Sequence, residues 1–562
     1  MLRLISRCVL LAATATTALA QGAAQRTAPV ADLIVTNARI YTADDTRPVV
    51  EAVAVAGGKV LFAGNATGAL ALKGPATKVV DLGGRTMIPG MVDAHAHVAS
   101  LGDALHIVDL TGTASYDEVV ARVVERAKKT PKGQWVLGRG WDQNDWGDTR
   151  FPTHDKMTAA VPDHPVYIVR VDGHAGLANL KAIQTANVTS ATPDPSGGHM
   201  ERTAEGSPAG VFVDNAQGLV RRAIPRQSRD DVKTSIVDAV REAQRWGLTG
   251  AHDAGAGATE LEVYEELARS GQLKFRIYAM ISDHLPTIDA WFKRGPLMDG
   301  YNGTLWVRSI KLYADGALGS RGAALLEPYR DDPKNIGLLV SAPAHIQDMA
   351  ARALKAGFQV NTHAIGDRGN RLVLDAYEAA LKATPTADHR FRVEHAQILN
   401  VDDIPRFASL GVIPSMQASH QTSDMYWAEA RLGSGRLLGA YAWRSLLNTG
   451  VVVPNGSDFP VEQVNPLISF HSAVSRQDAR DWPPGGWYPA ERMTRDEALK
   501  AMTIWPAYAA FQERVLGSLT PGKYADFVVL DQDIMRCPPE LLLRTKVLQT
   551  WVGGTRVYDA AP

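Results

Sequence analysis

The sequence predicts an α/β protein: a (β/α)8 TIM-type barrel joined to a small β-sandwich domain built from both ends of the chain. Three observations carry that expectation. Eight apolar β-type runs recur through the middle of the chain, several separated by helical patterns. Short β runs punctuated by Gly and Asp occupy both ends. Histidine, aspartate and one lysine stand at the carboxyl ends of most of the eight runs, where barrels carry their chemistry. The chain has 562 residues, 45% hydrophobic and 21% charged, enough for one large domain and a smaller one. A formal net charge of -1 offers no basic surplus, so no nucleic acid, no anionic membrane and no stable membrane insertion are expected.

The elements follow in order. Residues 1–20 read as a cleavable secretory signal: Arg3 and Arg7, an apolar run, then Ala18-Leu19-Ala20 before Gln21. The mature chain is therefore expected to begin at Gln21, in the periplasm or outside the cell. Of the two cysteines, Cys8 falls inside the signal, and the remaining Cys537 has no partner for an internal disulfide. Residues 21–88 ("DLIVTNARIYTAD", "EAVAVAGGKVLFAGN", "TKVVDLGGRTMIPG") and 497–562 ("YADFVVLDQD", "TWVGGTRVYD") form the small β domain. The barrel spans 89–496. Its strands are "MIPGMVDAHAH", 247–255, 274–280, 306–316, 358–367, 391–397, 411–417 and 451–461. About 111–235 is too long for one strand-to-helix connection and reads as an insertion over the mouth. In it Trp141 and Trp146 stand close together, and Asp172 and His174 alternate.

At the strand ends stand His95 and His97, His252 and Asp253, Lys311 and Asp315, His363, His395 and Asp458. Alternate residues of a strand share a face, so the two imidazoles of "VDAHAHV" project together with Asp93 on their side. Imidazole and carboxylate without thiolate suit zinc, with manganese, iron or nickel as alternatives. Lys311 is the odd member, because an ammonium is repelled by a metal site. Either it turns away and pairs with Asp315, or carbon dioxide converts it into an anionic carbamate able to bridge two metals.

Together "VDAHAH", "KLYADGALGSRGAAL", "VNTHAIGD", "VEHAQ", "GSDFPV" and "GSLTPGKYADFVVLD" resemble the amidohydrolase superfamily. The likeness is to its amidohydrolase family 3, the YtcJ-like branch that includes N-substituted formamide deformylases, and it runs from about Ala31 to Tyr558. The resemblance implies that His95 and His97 bind the more buried of two divalent ions, with zinc as the expected metal. Carboxylated Lys311 would bridge, His363 and His395 would bind the second ion, and Asp458 would touch a metal and the attacking water. "MQASH" departs from the family pattern by lacking a proline just before the residue that precedes His420. The implied reaction is cleavage of a carbon-nitrogen bond of a small non-peptide or N-acyl amide by metal-activated hydroxide, with Asp458 shuttling the proton. Tyr313, Arg321, His252 and His420 are the candidates to steady substrate or oxyanion. A carbamate, ester or cyclic amide hydrolase on the same metals is the alternative, and a non-catalytic binding protein on this fold a remote one. A homodimer is the further assembly the sequence leaves open.

Overall fold

A computed structural model describes residues 29–560. The expected signal segment, residues 1–20, lies outside the described residues. Among them, no helix is long and apolar enough to cross a membrane.

All eight anticipated barrel strands form: Met91–Ala96, Leu248–Ala256, Arg276–Ile281, Leu305–Tyr313, Gln359–Ala364, Arg392–His395, Ile413–Gln417 and Asn455–Gly456. They pair in sequence order, each parallel to the next. Backbone bonds from Asp458 N to the His95 carbonyl (2.8 Å) and from His97 N to the Phe459 carbonyl (2.9 Å) join the eighth strand to the first. Gly456 makes that approach feasible, since a Cβ there would meet His95 N at 2.5 Å and Asp93 Oδ1 at 2.6 Å. The outer helices read as amphipathic for the usual reason. Helix Arg229–Arg245 starts at a Ser228/Asp231 capping box and turns Val232, Ile236, Ala239, Val240 and Ala243 inward.

Strands from both ends share one mixed sheet of eight strands. Lys73–Pro89 pairs in parallel with Ala31–Tyr41 on one side and antiparallel with Phe527–Leu530 on the other. It then runs directly into the first barrel strand, so the small domain anchors the strand that carries His95. Arg276, at the start of the third barrel strand, fixes the joint from below by a bidentate pair to Asp526 at 2.8 and 2.9 Å.

At the joint between the units, Ala498, Leu499, Ala501 and Met502 pack into the barrel core, and Leu519 is the first residue after them in the core of the small sheet. The insertion is shorter than 111–235 at its far end, because helix Arg229–Arg245 buries its apolar face in the barrel. Its own six-stranded sheet runs from Val108–Asp109 to Pro208–Asp214, over a core that includes Trp141, Trp146, Met157, Ile168 and Val211. The two tryptophans are therefore core, their Nε1 atoms donating to the Ile168 and Thr113 carbonyls.

Candidate metal centre and substrate cavity

The carboxyl ends of the first, fourth, fifth, sixth and eighth strands converge on one point. His95, His97 and Asp458 bring ligand atoms within 4.8 Å of one another, and so do His395, His420 and Asp458. The His95 ring lies 4.7 Å from that of His395, which lies 4.5 Å from that of His363. Lys311 is buried with its Nζ 3.3 Å from His95 Nε2 and 4.7 Å from the centre of the Tyr313 ring. It does not turn out to pair with Asp315, whose carboxylate instead accepts backbone N–H groups of Ala324, Ile365 and Gly366.

The rings are held so that one nitrogen of each is engaged. His95 Nδ1 is 2.5 Å from Glu394 Oε2, His395 Nδ1 is 2.6 Å from Gln417 Oε1, and His363 Nε2 is 3.5 Å from the Gly316 carbonyl. The nitrogens left without these partners are Nε2 of His95 and His395 and Nδ1 of His363. Burial holds all three imidazoles well below their usual range, and their cationic neighbours push the same way, so they present lone pairs. Burial likewise lowers the Lys311 ammonium to about 8. On Asp458 burial opposes charge, yet the imidazoles of His95, His97 and His420 keep its carboxyl below the usual carboxylate range. Asp458 Oδ1 is 3.1 Å from His97 Nε2 and 3.5 Å from His95 Nε2 but hydrogen-bonds to neither, and His420 Nε2 is also buried without a partner. Neutral imidazoles, an ionised carboxylate and unpartnered inward atoms are a donor set that fits divalent N/O-preferring metals.

The backbone is strained where this is assembled. His395 (φ +73°) and Asp458 (φ +61°) both occupy the left-handed region. The neighbouring frame compensates: Asp93 accepts Ser457 N and Oγ (2.6 Å for Oγ), pinning the eighth strand against the first.

Above the centre opens a cavity of about 780 Å3. His363, His395, His420 and Asp458 form part of its floor, and the insertion contributes Arg139, Asp142, Arg170, Asp172 and His174 to its wall. His174 is aligned by Asp214 at 2.6 Å, with its ring 5.0 Å from that of His363.

Of the four expected substrate contacts, His420 alone lines this cavity, its Nε2 3.8 Å from Asp458 Oδ2. Tyr313 packs beside the site, its ring 5.6 Å from that of His363. The other two stand elsewhere. His252 sits inside the barrel below the site, its Nδ1 3.0 Å from Arg392 Nη1, where strand alternation points it into the interior. Arg321 lies outside the cavity wall because Asp331 takes its guanidinium at 2.9 Å. Sequence reasoning also missed Glu394 and Gln417. Glu394 adjoins His395 in "VEHAQ" and is itself held by Arg392 Nη2 at 3.0 Å, so its position beside a ligand candidate was the available signal.

Comparison with known proteins agrees. "Protein LONG AFTER FAR-RED 3" of Arabidopsis thaliana is 34% identical over 94% of this chain and 92% of its own length. "Putative amidohydrolase YtcJ" of Bacillus subtilis is 32% identical over 86% of this chain and 91% of its own. "N-substituted formamide deformylase" of Arthrobacter pascens is 29% identical over 94% and 98%. A crystal structure of an uncharacterized metal-dependent hydrolase from Pyrococcus horikoshii superposes with a TM-score of 0.73 at 26% identity, covering 90% of this chain and 99% of that one. The amidohydrolase family model matches residues 78–558, and the chain belongs to that family.

Proposed function

We propose that this member of the metal-dependent amidohydrolases cleaves the carbon-nitrogen bond of a small non-peptide amide, in the periplasm or outside the cell after removal of residues 1–20. The observation that carries the reading is the convergence of His95, His97, Lys311, His363, His395 and Asp458 on one centre, with ring nitrogens already pinned by Glu394, Gln417 and the Gly316 carbonyl. The likeness to a relative named for deformylation of N-substituted formamides supports an amide as substrate. A net charge of -1 supports a small-molecule partner rather than nucleic acid. A homodimer is compatible with all of this and is not required by it.

His95, His97, His363, His395, Asp458 and a carbamate on Lys311 would hold two divalent ions, zinc by preference. When bound, such ions supply Lewis acidity toward the carbonyl and lower the pKa of water. The rest is work for the chain's own groups. Burial favours loss of the Lys311 ammonium proton to solvent; the neutral amine then attacks carbon dioxide through Nζ, and as the N–C bond forms the nitrogen gives up a second proton to solvent, leaving the anionic carbamate. Asp458, kept ionised among imidazoles, takes a proton from the attacking water and returns it to the amide nitrogen as the C–N bond breaks. Glu394 and Gln417 keep His95 and His395 from rotating away. The insertion walls the cavity and limits bulk water.

A panel of formamides, N-acyl amino acids, aryl amides, carbamates and esters, incubated with metal-loaded mature protein and scored by product mass, tests the reading. Release of amine from at least one amide is expected. Turnover confined to esters or carbamates would overturn it.

A further inference from the structure

The barrel interior beneath the centre holds a guanidinium. Arg392 opens the sixth strand and is fully buried, and its nitrogens reach groups on the first, second, sixth and seventh strands. Nη2 donates to the Ala94 carbonyl of the first strand at 2.6 Å, to Ser415 Oγ of the seventh at 2.8 Å and to Glu394 Oε2 of its own strand at 3.0 Å. Nη1 lies 3.0 Å from His252 Nδ1 of the second strand, and Nε lies 2.7 Å from Glu394 Oε1. Burying this ion costs free energy that Glu394 and the polar groups around it offset, and apolar side chains would fill a barrel interior at lower cost. What a guanidinium adds is direction, since its planar fork fixes the groups that meet it.

Two of those groups bear on His95. The Ala94 carbonyl belongs to the peptide that leads into His95, so Arg392 holds the first strand at the bond just before the ligand candidate. Glu394 Oε2, held by the same guanidinium nitrogen, is 2.5 Å from His95 Nδ1. An oxygen that faces a guanidinium serves as acceptor, so Nδ1 donates to it and Nε2 keeps its lone pair. Backbone and ring of one ligand candidate thus hang on a single side chain. His395 and His363 are held otherwise. Their ring partners are Gln417 Oε1 and the Gly316 carbonyl, and the hydrogen-bond partners of the Arg392 guanidinium include neither.

We propose that Arg392 is a positioning residue for His95, fixing its backbone through Ala94 and its imidazole through Glu394, so that the ion His95 would hold depends on Arg392 and the ion of His363 and His395 does not. The inference rests on the metal-dependent amide-hydrolase reading of this site and adds a residue to it. The Arg392 guanidinium donates to no ligand candidate and works through these two neighbours. Partners of this kind, one step behind a metal ligand, orient it and tune how tightly the metal is held.

The test strips metal from the whole protein and titrates it with zinc against a chromophoric chelator, with His95→Ala identifying which binding step belongs to the His95 ion. Arg392→Gln should weaken that step by roughly 10- to 100-fold and leave the other within about threefold. With cobalt in place of zinc, the visible bands of the same site should shift. Arg392→Lys, which keeps the charge and loses the fork, should fall between. Adding Arg392→Gln to Glu394→Gln should cost less than it does in the wild-type chain, because the two act in line. Arg390→Gln, which breaks ion pairs with Asp388 and Glu513 at the amino end of the strand, should lower the melting temperature and leave both steps within about threefold. If Arg392→Gln does not fold, Arg392→Lys and Ser415→Ala are read in its place, each expected to weaken the His95 step selectively. Zinc binding that is unchanged in these variants, weakened equally at both steps, or weakened as much by Arg390→Gln overturns the proposal. Selective loss in a protein that cleaves no amide spares the proposal and sinks the amide-hydrolase reading. Amide cleavage with metal binding indifferent to Arg392 does the reverse.

Discussion

At the residue scale the account turns on which groups are charged. Asp458 is held as a carboxylate, and its work is to move one proton twice. Asp458→Asn should retain most of the metal, because four imidazoles and Lys311 remain, while kcat on amides falls by about 10²- to 10⁴-fold. Activated esters, whose leaving groups depart unprotonated, should lose proportionally less. Equal loss on both substrates with metal unchanged would assign nitrogen protonation elsewhere, with His420 the nearest group facing the cavity. Lys311 gives a pH prediction with a definite sign. Its pKa falls from 10.5 in an unfolded chain to about 8 in the fold, so between those values the unfolded state holds the extra proton. Wild-type stability, in metal-depleted and decarboxylated protein, should therefore rise relative to Lys311→Met as pH goes from 8 to 10.5. The variant's advantage at pH 7 should be on the order of 3 kcal/mol and largely vanish at the upper end. Urea melts across that range check it, and a pH-independent difference would contradict it.

At the element scale, barrel closure decides whether the centre exists. The last strand is two residues long, and its contact with the first depends on a glycine that lets backbone meet backbone. Gly456→Ala places a methyl against His95 N and Asp93 Oδ1, so about 1–3 kcal/mol of stability should be lost. Amide turnover should fall with it, because the same shift separates His95 from Asp458. A variant of wild-type stability and activity would mean the junction is more compliant than described. The eight strands were legible because each is a short apolar run, most of them with a polar or ionisable residue at the carboxyl end, which period and composition reveal. The ligand candidates were legible for the same reason. What was not legible needs the third dimension. Alternation alone cannot say whether His252 points into the site or beneath it, and Arg321 lost its expected place to Asp331, ten residues further on. Glu394 and Gln417 act through histidines on other strands, so the only local mark is Glu394's place beside His395, which does not show that it holds His95. The insertion read as a length anomaly, and its six-stranded sheet, built from short strands in mixed order, left no comparable period.

At the scale of the whole molecule, three units meet at one place. The sheet from both termini feeds Lys73–Pro89 into the strand carrying His95, the barrel gathers the ligands, and the insertion brings Arg139, Arg170 and His174 over them. Separation in the chain explains why each unit has its own apolar core and why the site nevertheless depends on all three. The central claim is that this convergence exists to hold divalent metal. Elemental analysis of the active protein as purified, with His95→Ala beside it, tests that most directly. About two divalent ions per wild-type chain are expected, falling to one or fewer in the variant together with amide turnover. Active wild-type protein that carries no divalent metal would contradict the account.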